Sequence, residues 1–199
     1  MTPMTPIRSL TLLTALLMLA TACSSTQYAR RSSDEEPLET IPQKTIVDRT
    51  EDFFGEASGD LASVLGKAFE EYGEPNGYVF GEEASGALAV GVRYGRGQLV
   101  VADGTVRDIY WQGPSIGFDA GGNASKVLIL VYNLSDPNQV FGRFPGVEGS
   151  LYFVAGASLN YHQRDDGIVL APVRTGVGWR QGANIGYLKV TEESTANPF

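Results

Sequence analysis

The chain has 199 residues, of which 43% are hydrophobic and 19% charged, and its formal net charge is −8. One cysteine and one histidine exclude an intrachain disulfide, a zinc cluster of cysteines and histidines, and a multi-histidine metal site. The acidic balance argues against nucleic-acid binding, which needs a cationic surface to displace counterions from phosphate. The composition therefore predicts one ordinary domain, with no metal, cofactor or nucleic acid indicated.

The first 22 residues have the pattern of a signal peptide. Arg8 supplies a positive charge, and residues 10–19 form an uncharged apolar run of the length that signal peptides use. The run is too short for a settled transmembrane helix, which needs about 20 apolar residues. Residues 1–22 are therefore expected to be removed after export.

Cys23 marks the end of this segment and has two interpretations. The sequence Ala20-Thr21-Ala22-Cys23 resembles a bacterial lipobox, which predicts lipid attachment at Cys23. The small residues Ala20 and Ala22 also suit an ordinary signal peptidase, so a soluble periplasmic protein is the alternative. Because serine rather than aspartate follows the cysteine, the favoured location is the periplasm, as an outer-membrane-anchored lipoprotein held to the membrane through Cys23.

Residues 23–55 are predicted to form the lipid-attachment cysteine and a flexible acidic tether. Residues 24–52 are rich in Ser, Thr, Glu, Asp and Pro and show no sustained period. Ile41, Ile46 and Val47 are apolar exceptions that could dock on the domain. The folded domain is expected to span residues 56–199.

An amphipathic helix is predicted at the start of this domain. Its apolar positions recur at a helical period of 3.6 residues, and Gly73 followed by Pro75 predicts its end. The apolar face consists of Leu61, Val64, Leu65, Ala68, Phe69 and Tyr72. Since Lys67 is the one basic residue within it, packing on the domain is favoured over lying on a membrane.

Beyond residue 76 the pattern changes to short β-branched and aromatic runs bounded by glycine. Asp103-Gly104 and Asp166-Gly167 predict hairpin turns, and Gly95-Arg96-Gly97 predicts a tight reversal. The predicted strands are residues 87–94, 98–102, 105–111, 126–132, 150–161, 168–173 and 183–190. The run 126–132 is apolar throughout, which is typical of a strand buried on both faces.

Two further features complete the predicted fold. Asp136-Pro137-Asn138-Gln139 has the pattern of a capping box, which predicts a short helix inserted around residues 136–144 with Val140, Phe141 and Phe144 buried. All 24 glycines lie after residue 54 and make up about 17% of residues 55–199, against an average of about 7%. Glycines inside strands permit bulges and sharp bends. We therefore expect a mainly β protein, a small soluble antiparallel β-barrel, rather than a flat sandwich.

No catalytic residue is indicated by the sequence. His162 runs into the Asp166-Gly167 turn and is expected to be a surface residue at a hairpin end. The most distinctive stretch is residues 106–118, where Tyr110 and Trp111 bring large apolar area with polar edges and Gly113-Pro114 predicts a turn. This stretch is either a core-and-turn element or the rim of a ligand or partner site. The candidate binding residues are Tyr110, Trp111, Pro114 and Phe118.

An ordered series of motifs resembles the EipA family of Gram-negative envelope proteins, which is built on a domain of unknown function. The motifs are residues 90–95 (VGVRYG), 110–119 (YWQGPSIGFD), 130–134 (LVYNL), 143–150 (RFPGVEGS), 170–174 (LAPVR) and 182–188 (GANIGYL). More distantly, the tryptophan and the glycine-spaced strands look like the SYLF lipid-binding domain. The resemblance implies a periplasmic β-barrel that supports envelope integrity, with no established enzymatic activity.

The leading functional prediction is a non-enzymatic envelope protein that binds lipid or an envelope partner. A scaffold for envelope-synthesis proteins is one alternative. It differs from a lipid-binding protein only in the identity of the bound partner, so the sequence does not separate the two. A hydrolase or transferase acting on envelope polymers is the other alternative. It would require a general base, for which the single histidine, His162, is the first candidate.

Overall fold

The computed structural model describes residues 38–55, 59–119, 125–154, 156–175, 186–195 and 197, with the backbone alone for 85–90 and 115–119. Everything described belongs to one compact unit that begins at Pro37. The predicted signal peptide, Cys23, the tether as far as residue 37 and the side chain of Phe118 lie outside the described residues. Among the described residues, no helix is long and apolar enough to cross a membrane.

In the described residues, nine antiparallel strands form one curled sheet, which confirms the mainly β, barrel-like prediction. They are β1 (Gly77–Val101), β2 (Val106–Asp119), β3 (Ser125–Tyr132), β4 (Gly142–Pro145), β5 (Tyr152–Val154), β6 (Ala157–Leu159), β7 (His162–Gln163), β8 (Val169–Thr175) and β9 (Tyr187–Thr191). The order is β4-β9-β2-β1-β3-β8-β6-β5, and β7 also pairs with β8.

The sheet curls because β1 bends and uses its two arms in different pairings. Residues 77–83 pair with β3, whereas residues 87–100 pair with β2. The arms cross closely where Gly97 meets Gly81, since a Cβ on Gly97 would lie 2.9 Å from the Cα of Gly81. The tight reversal predicted at Gly95-Arg96-Gly97 is therefore wrong: these glycines provide space for close packing within a continuous strand.

The curl brings β4 beside β7. Gly146 forms a single antiparallel bridge with His162, and the backbone N–H of Val147 donates to the carbonyl of Tyr161 at 2.9 Å. Gly146 also donates to the carbonyl of Gly186 at 2.6 Å, which extends the β4–β9 pairing. In the described residues, β4 is thus linked to β7 by isolated contacts rather than by a full ladder.

Apolar side chains fill both sides of the sheet. The inner cluster consists of Val79, Leu99, Val101, Ile109, Trp111, Val127, Ile129, Val131, Leu134, Val140, Phe144, Ile168, Leu170, Leu188 and Val190. The outer cluster lies between the sheet and the helices. Strand β3 contributes Val127 and Ile129 inward and Leu128 and Leu130 outward, which confirms that it is buried on both faces.

Two helices of the described part of the chain cover the outer cluster. The predicted amphipathic helix is confirmed as α2 (Gly59–Tyr72), and Gly73 ends it with a φ of +73°. A preceding helix, α1 (Gln43–Phe54), corrects the predicted tether, which was expected to run to residue 55. Ile46 and Thr50 of α1 are fully buried. The Thr50 hydroxyl donates to the Ile46 carbonyl at 2.6 Å, so a polar residue is tolerated within the buried stripe.

Three local predictions change in the structure. The capping box at Asp136 is confirmed, but it starts a single 3-10 turn (Pro137–Val140), and Phe144 lies in β4. Gly113-Pro114 forms no turn, because both residues continue β2 opposite Arg93 and Val92. The predicted strand 150–161 is instead the hairpin of β5 and β6. The Asp103-Gly104 turn is present, with Gly104 at a φ of +87°.

Candidate functional site

A cluster of polar side chains lies buried inside the curled sheet, centred on the carboxylate of Glu83. Four donor N–H groups reach this carboxylate, three from guanidinium side chains and one from an indole. Arg174 donates from Nε to Oε1 at 2.9 Å and from Nη2 to Oε2 at 3.1 Å. Arg93 Nη1 donates to Oε1 at 3.2 Å, and Trp111 Nε1 donates to Oε2 at 2.8 Å.

Glu83 remains ionised despite its burial. Burial by itself would raise the pKa of the carboxyl group, but the charges of Arg174 and Arg93 and the hydrogen bonds outweigh it and lower the pKa to about 2. Glu83 is 7% exposed and Arg93 4% exposed, so water screens their attraction poorly. The carboxylate therefore joins β1, β2 and β8 across the interior of the sheet.

The cluster continues from Arg174 toward β4 through two further side chains. Arg174 Nη1 donates to Asn160 Oδ1 at 3.0 Å. Asn160 Nδ2 lies 2.8 Å from His162 Nε2, and His162 Nδ1 lies 3.2 Å from the Phe144 carbonyl oxygen. A neutral imidazole with its proton on Nδ1 fits both contacts, because Nε2 then accepts from the amide while Nδ1 donates to the carbonyl.

His162 is fully buried, so its expected position on the surface is wrong. Burial, reinforced by the positive charge of Arg174, lowers the pKa of the imidazole to about 3. The reason for the burial is that β7 pairs with β8, with His162 opposite Leu170. The ring therefore lies within the inner core rather than at an exposed turn.

The arrangement is suited to holding strands together rather than to reacting with a substrate. Its groups belong to strands β1, β2, β7 and β8 and to the segment before β7, and the last contact reaches β4. These contacts lie beside the single bridge that joins β4 to β7. Each titratable group is engaged by protein atoms, and this stabilises a unique closure of the sheet.

The predicted binding residues separate in the structure. Trp111 is fully buried, and its indole ring packs on Gly95, where an added Cβ would overlap it. Pro114 is half-buried beside Gly186. Tyr110 lies on the opposite face of β2 from Trp111 and lines an open groove. Trp111 is thus a core residue, and Tyr110 is the predicted residue that reaches a surface cavity.

The groove runs over the outer face of β1 and β2 as two adjoining depressions of about 510 Å³ and 430 Å³. Tyr110, Arg96 and Glu82 line both of them. The first also contains Tyr94 and Ser194, whereas the second contains Phe53, Gln98 and Asp108. Both volumes lie within the range of small-molecule sites, roughly 300–1,000 Å³.

The polar side chains of the groove are paired across the surface. Arg96 Nη2 lies 3.7 Å from Glu82 Oε2, and both side chains are more than half exposed. Gln98 Nε2 donates to Asp108 Oδ1 at 3.0 Å, between residues that oppose each other in the β1–β2 ladder. Within the described residues, no group of three or more His, Cys, Asp or Glu residues could hold a metal ion.

Comparison with known proteins supplies the family. A family model described as Envelope integrity protein A matches residues 39–199. The chain belongs to this family. Its fold is also similar to the crystal structure of a beta-barrel-like, uncharacterized protein from Brucella abortus, at 48% sequence identity and a TM-score of 0.73. That alignment covers 80% of this chain and 99% of the Brucella chain. No curated protein matches the chain.

Membership in the Envelope integrity protein A family confirms the resemblance found in the sequence and supports a role at the cell envelope. The match begins at residue 39, so it includes α1. The ordered domain and the family match therefore start about one helix earlier than the predicted boundary at residue 56.

Sequence reasoning missed the Glu83 cluster. Glu83 and Arg174 are 91 residues apart, and nothing local indicates that they meet. One signal was present: Arg174 ends a run of buried residues in β8, opposite Val127. A charged residue at an inward-facing position of such a strand requires a buried partner of opposite charge.

Proposed function

We propose that the protein is a lipid-anchored, non-enzymatic component of the bacterial cell envelope that supports envelope integrity by binding another envelope component from the periplasm. The family match over residues 39–199 carries this proposal. The signal-peptide pattern that precedes the domain supports it, because that pattern directs export across the inner membrane.

Anchoring is assigned to Cys23. The 14 residues between Cys23 and Leu38 are mostly polar or charged. As a flexible chain they would reach about 20 Å root-mean-square. Because α1 belongs to the folded domain, the tether is shorter than its composition first indicated. The domain would therefore work close to the membrane surface, and the outer membrane is the proposed site of attachment.

A non-enzymatic mechanism is supported by the state of the titratable groups. His162, the single histidine, is buried, neutral and held by contacts to Asn160 and the Phe144 carbonyl. Glu83 is held by four donors, three of them from guanidinium groups. Neither group is available to exchange protons with a bound substrate, as a general acid or base must.

Binding is assigned to the outer surface of the sheet rather than to its interior. Among the described residues, the interior is filled by apolar side chains and the Glu83 cluster, and Trp111 and Phe144 are the largest of the apolar ones. The groove beside Tyr110 is open and combines aromatic with polar side chains. The proposed partner of the domain is lipid or another envelope component, and the surface that includes Tyr110 is the candidate contact.

The anchor is tested by replacing Cys23 with alanine, with Ser24→Ala as the matched control. Wild type and Ser24→Ala should fractionate with membranes and incorporate labelled acyl chains. Cys23→Ala should be unlabelled and lose membrane association. A wild-type protein that is fully soluble and unlabelled would show that an ordinary signal peptidase processes the chain.

A further inference from the structure

We infer that the groove over β1 and β2 binds an oligosaccharide. Its walls include the rings of Tyr94 and Tyr110 beside planar polar side chains from neighbouring strands, together with Phe53, whose ring packs on Phe80 and Lys126. Aromatic rings pack on the apolar C–H faces of pyranose rings, while carboxylates, amides and guanidinium groups hydrogen-bond the ring hydroxyls. A polyhydroxylated ligand needs this mixture of flat apolar surface, donors and acceptors.

The geometry of the groove supports this occupant. Arg96 lies directly opposite Tyr110 in the β1–β2 ladder, so a guanidinium donor lies beside an aromatic ring. Gln98 and Asp108 form the next outward-facing pair and add an amide and a carboxylate. Glu82 lies on the other arm of bent β1, and its Oε2 is 3.7 Å from Nη2 of Arg96. These groups are more exposed than the Glu83 cluster, so they can exchange their contacts with a ligand at small cost.

Other ligand classes fit the groove less well. A lipid acyl chain requires an apolar lining, whereas Glu82, Arg96 and Asp108 are charged. A phosphate group would meet two carboxylates and one guanidinium, which is an unfavourable balance. An extended peptide that adds to a sheet needs a free strand edge, yet β1 and β2 are paired with each other along this face.

This inference deepens the proposed function, because it rests on the partner being an envelope component and names its chemical class as envelope polysaccharide. Neither the anchor at Cys23 nor the closure of the sheet by Glu83 depends on it. Absence of sugar binding would therefore leave anchoring and family membership unchanged.

The test uses the purified mature domain and two probes from the same organism, intact peptidoglycan sacculi and the lipid-free polysaccharide fraction. Co-sedimentation reports binding to sacculi, and calorimetry or NMR titration reports binding to the soluble polysaccharide. Vesicles of anionic phospholipid serve as the competing probe. We expect saturable binding to at least one glycan probe and no comparable binding to vesicles.

Variants place the binding site. Tyr110→Ala and Arg96→Ala should each weaken glycan binding about ten-fold, equivalent to about 1.4 kcal/mol. Phe153→Ala is the matched control, because Phe153 is an aromatic residue that is 52% exposed on β5, outside the groove. Arg96 has an exposed side chain, so its variant tests the site even if Tyr110→Ala unfolds. The inference is overturned if neither glycan binds, if binding survives both groove substitutions, or if vesicles alone bind with this residue dependence.

Discussion

Replacing Glu83 with glutamine tests whether the buried polar cluster stabilises the closed sheet. Glutamine keeps the size of the side chain but removes the charge and one acceptor oxygen. Arg93 and Arg174 would then remain buried without their counter-charge, and one donor would oppose the new amide N–H₂. Removing one partner of a buried ion pair costs about 3–5 kcal/mol.

The pKa of Glu83 gives an independent magnitude. Its fall from the usual 4.5 to about 2 means that the folded protein favours the ionised carboxylate by about 3 kcal/mol. This stabilisation is present above pH 4.5 and is lost as the pH falls from 4.5 toward 2, because over this range the unfolded chain takes up a proton that the folded protein does not. The difference between wild type and Glu83→Gln should therefore be largest near neutral pH and shrink below pH 4.5.

Thermal and urea unfolding of the purified domain measure this difference. A loss of about 3–5 kcal/mol corresponds to a fall in Tm of roughly 6–20 °C for a domain of this size. Glu82→Gln is the matched control, because Glu82 is adjacent but 55% exposed, and its pairing with Arg96 is 3.7 Å long. That variant should change stability by less than about 0.5 kcal/mol. Equal stability of the Glu83 and Glu82 variants would refute the assigned role of the cluster.

Four further substitutions probe the fold. His162 takes up a proton below about pH 6.5 in the unfolded chain but not in the folded protein. The free energy of unfolding of wild type should therefore fall by about 3 kcal/mol between pH 6.5 and 4.5, relative to that of His162→Gln. Parallel pH profiles of the two proteins in chemical denaturation would contradict the burial of His162. Gly95→Ala should lower the free energy of unfolding by several kcal/mol in urea, because the added methyl group overlaps the Trp111 indole. Gly66→Ala should instead raise it by up to about 1 kcal/mol, because Gly66 lies in open space on α2 and alanine favours a helix. Trp111→Ala should cost about 3–5 kcal/mol in urea unfolding, and a near-neutral result would show that the indole is not in the core.

Elements specified by local chemistry could be predicted from the sequence. The period of apolar residues identified α2, the Asp103-Gly104 pair identified a hairpin turn, and unbroken hydrophobicity identified β3 as buried on both faces. Helix α1 was not predicted because Thr50 interrupts its buried apolar stripe. The Thr50 hydroxyl donates a hydrogen bond to the Ile46 carbonyl within the same helix, so its burial is tolerated. A polar residue in a sparse apolar pattern indicates a solvated segment unless its hydrogen bond is known.

Features that depend on distant pairings could not be predicted. Gly95 and Gly97 suit a turn as well as a closely packed strand, and the indole of Trp111 and the other arm of β1 decide between them. The position of His162 followed from its pairing with β8 rather than from the adjacent turn. Tyr110 and Trp111 are neighbours in sequence but face opposite sides of β2, so the predicted binding stretch divides into a groove residue and a core residue.

Detergent survival of a deletion strain tests the envelope role of the protein. Loss of the protein should make cells hypersensitive to an envelope-disrupting detergent, and the wild-type gene should restore survival. Cys23→Ala should restore survival less well, whereas His162→Gln should restore it fully at neutral pH, since neither anchoring nor binding uses the imidazole. A deletion strain with normal detergent resistance would contradict the envelope role, and failure of a folded, membrane-anchored His162→Gln protein would contradict the non-enzymatic mechanism.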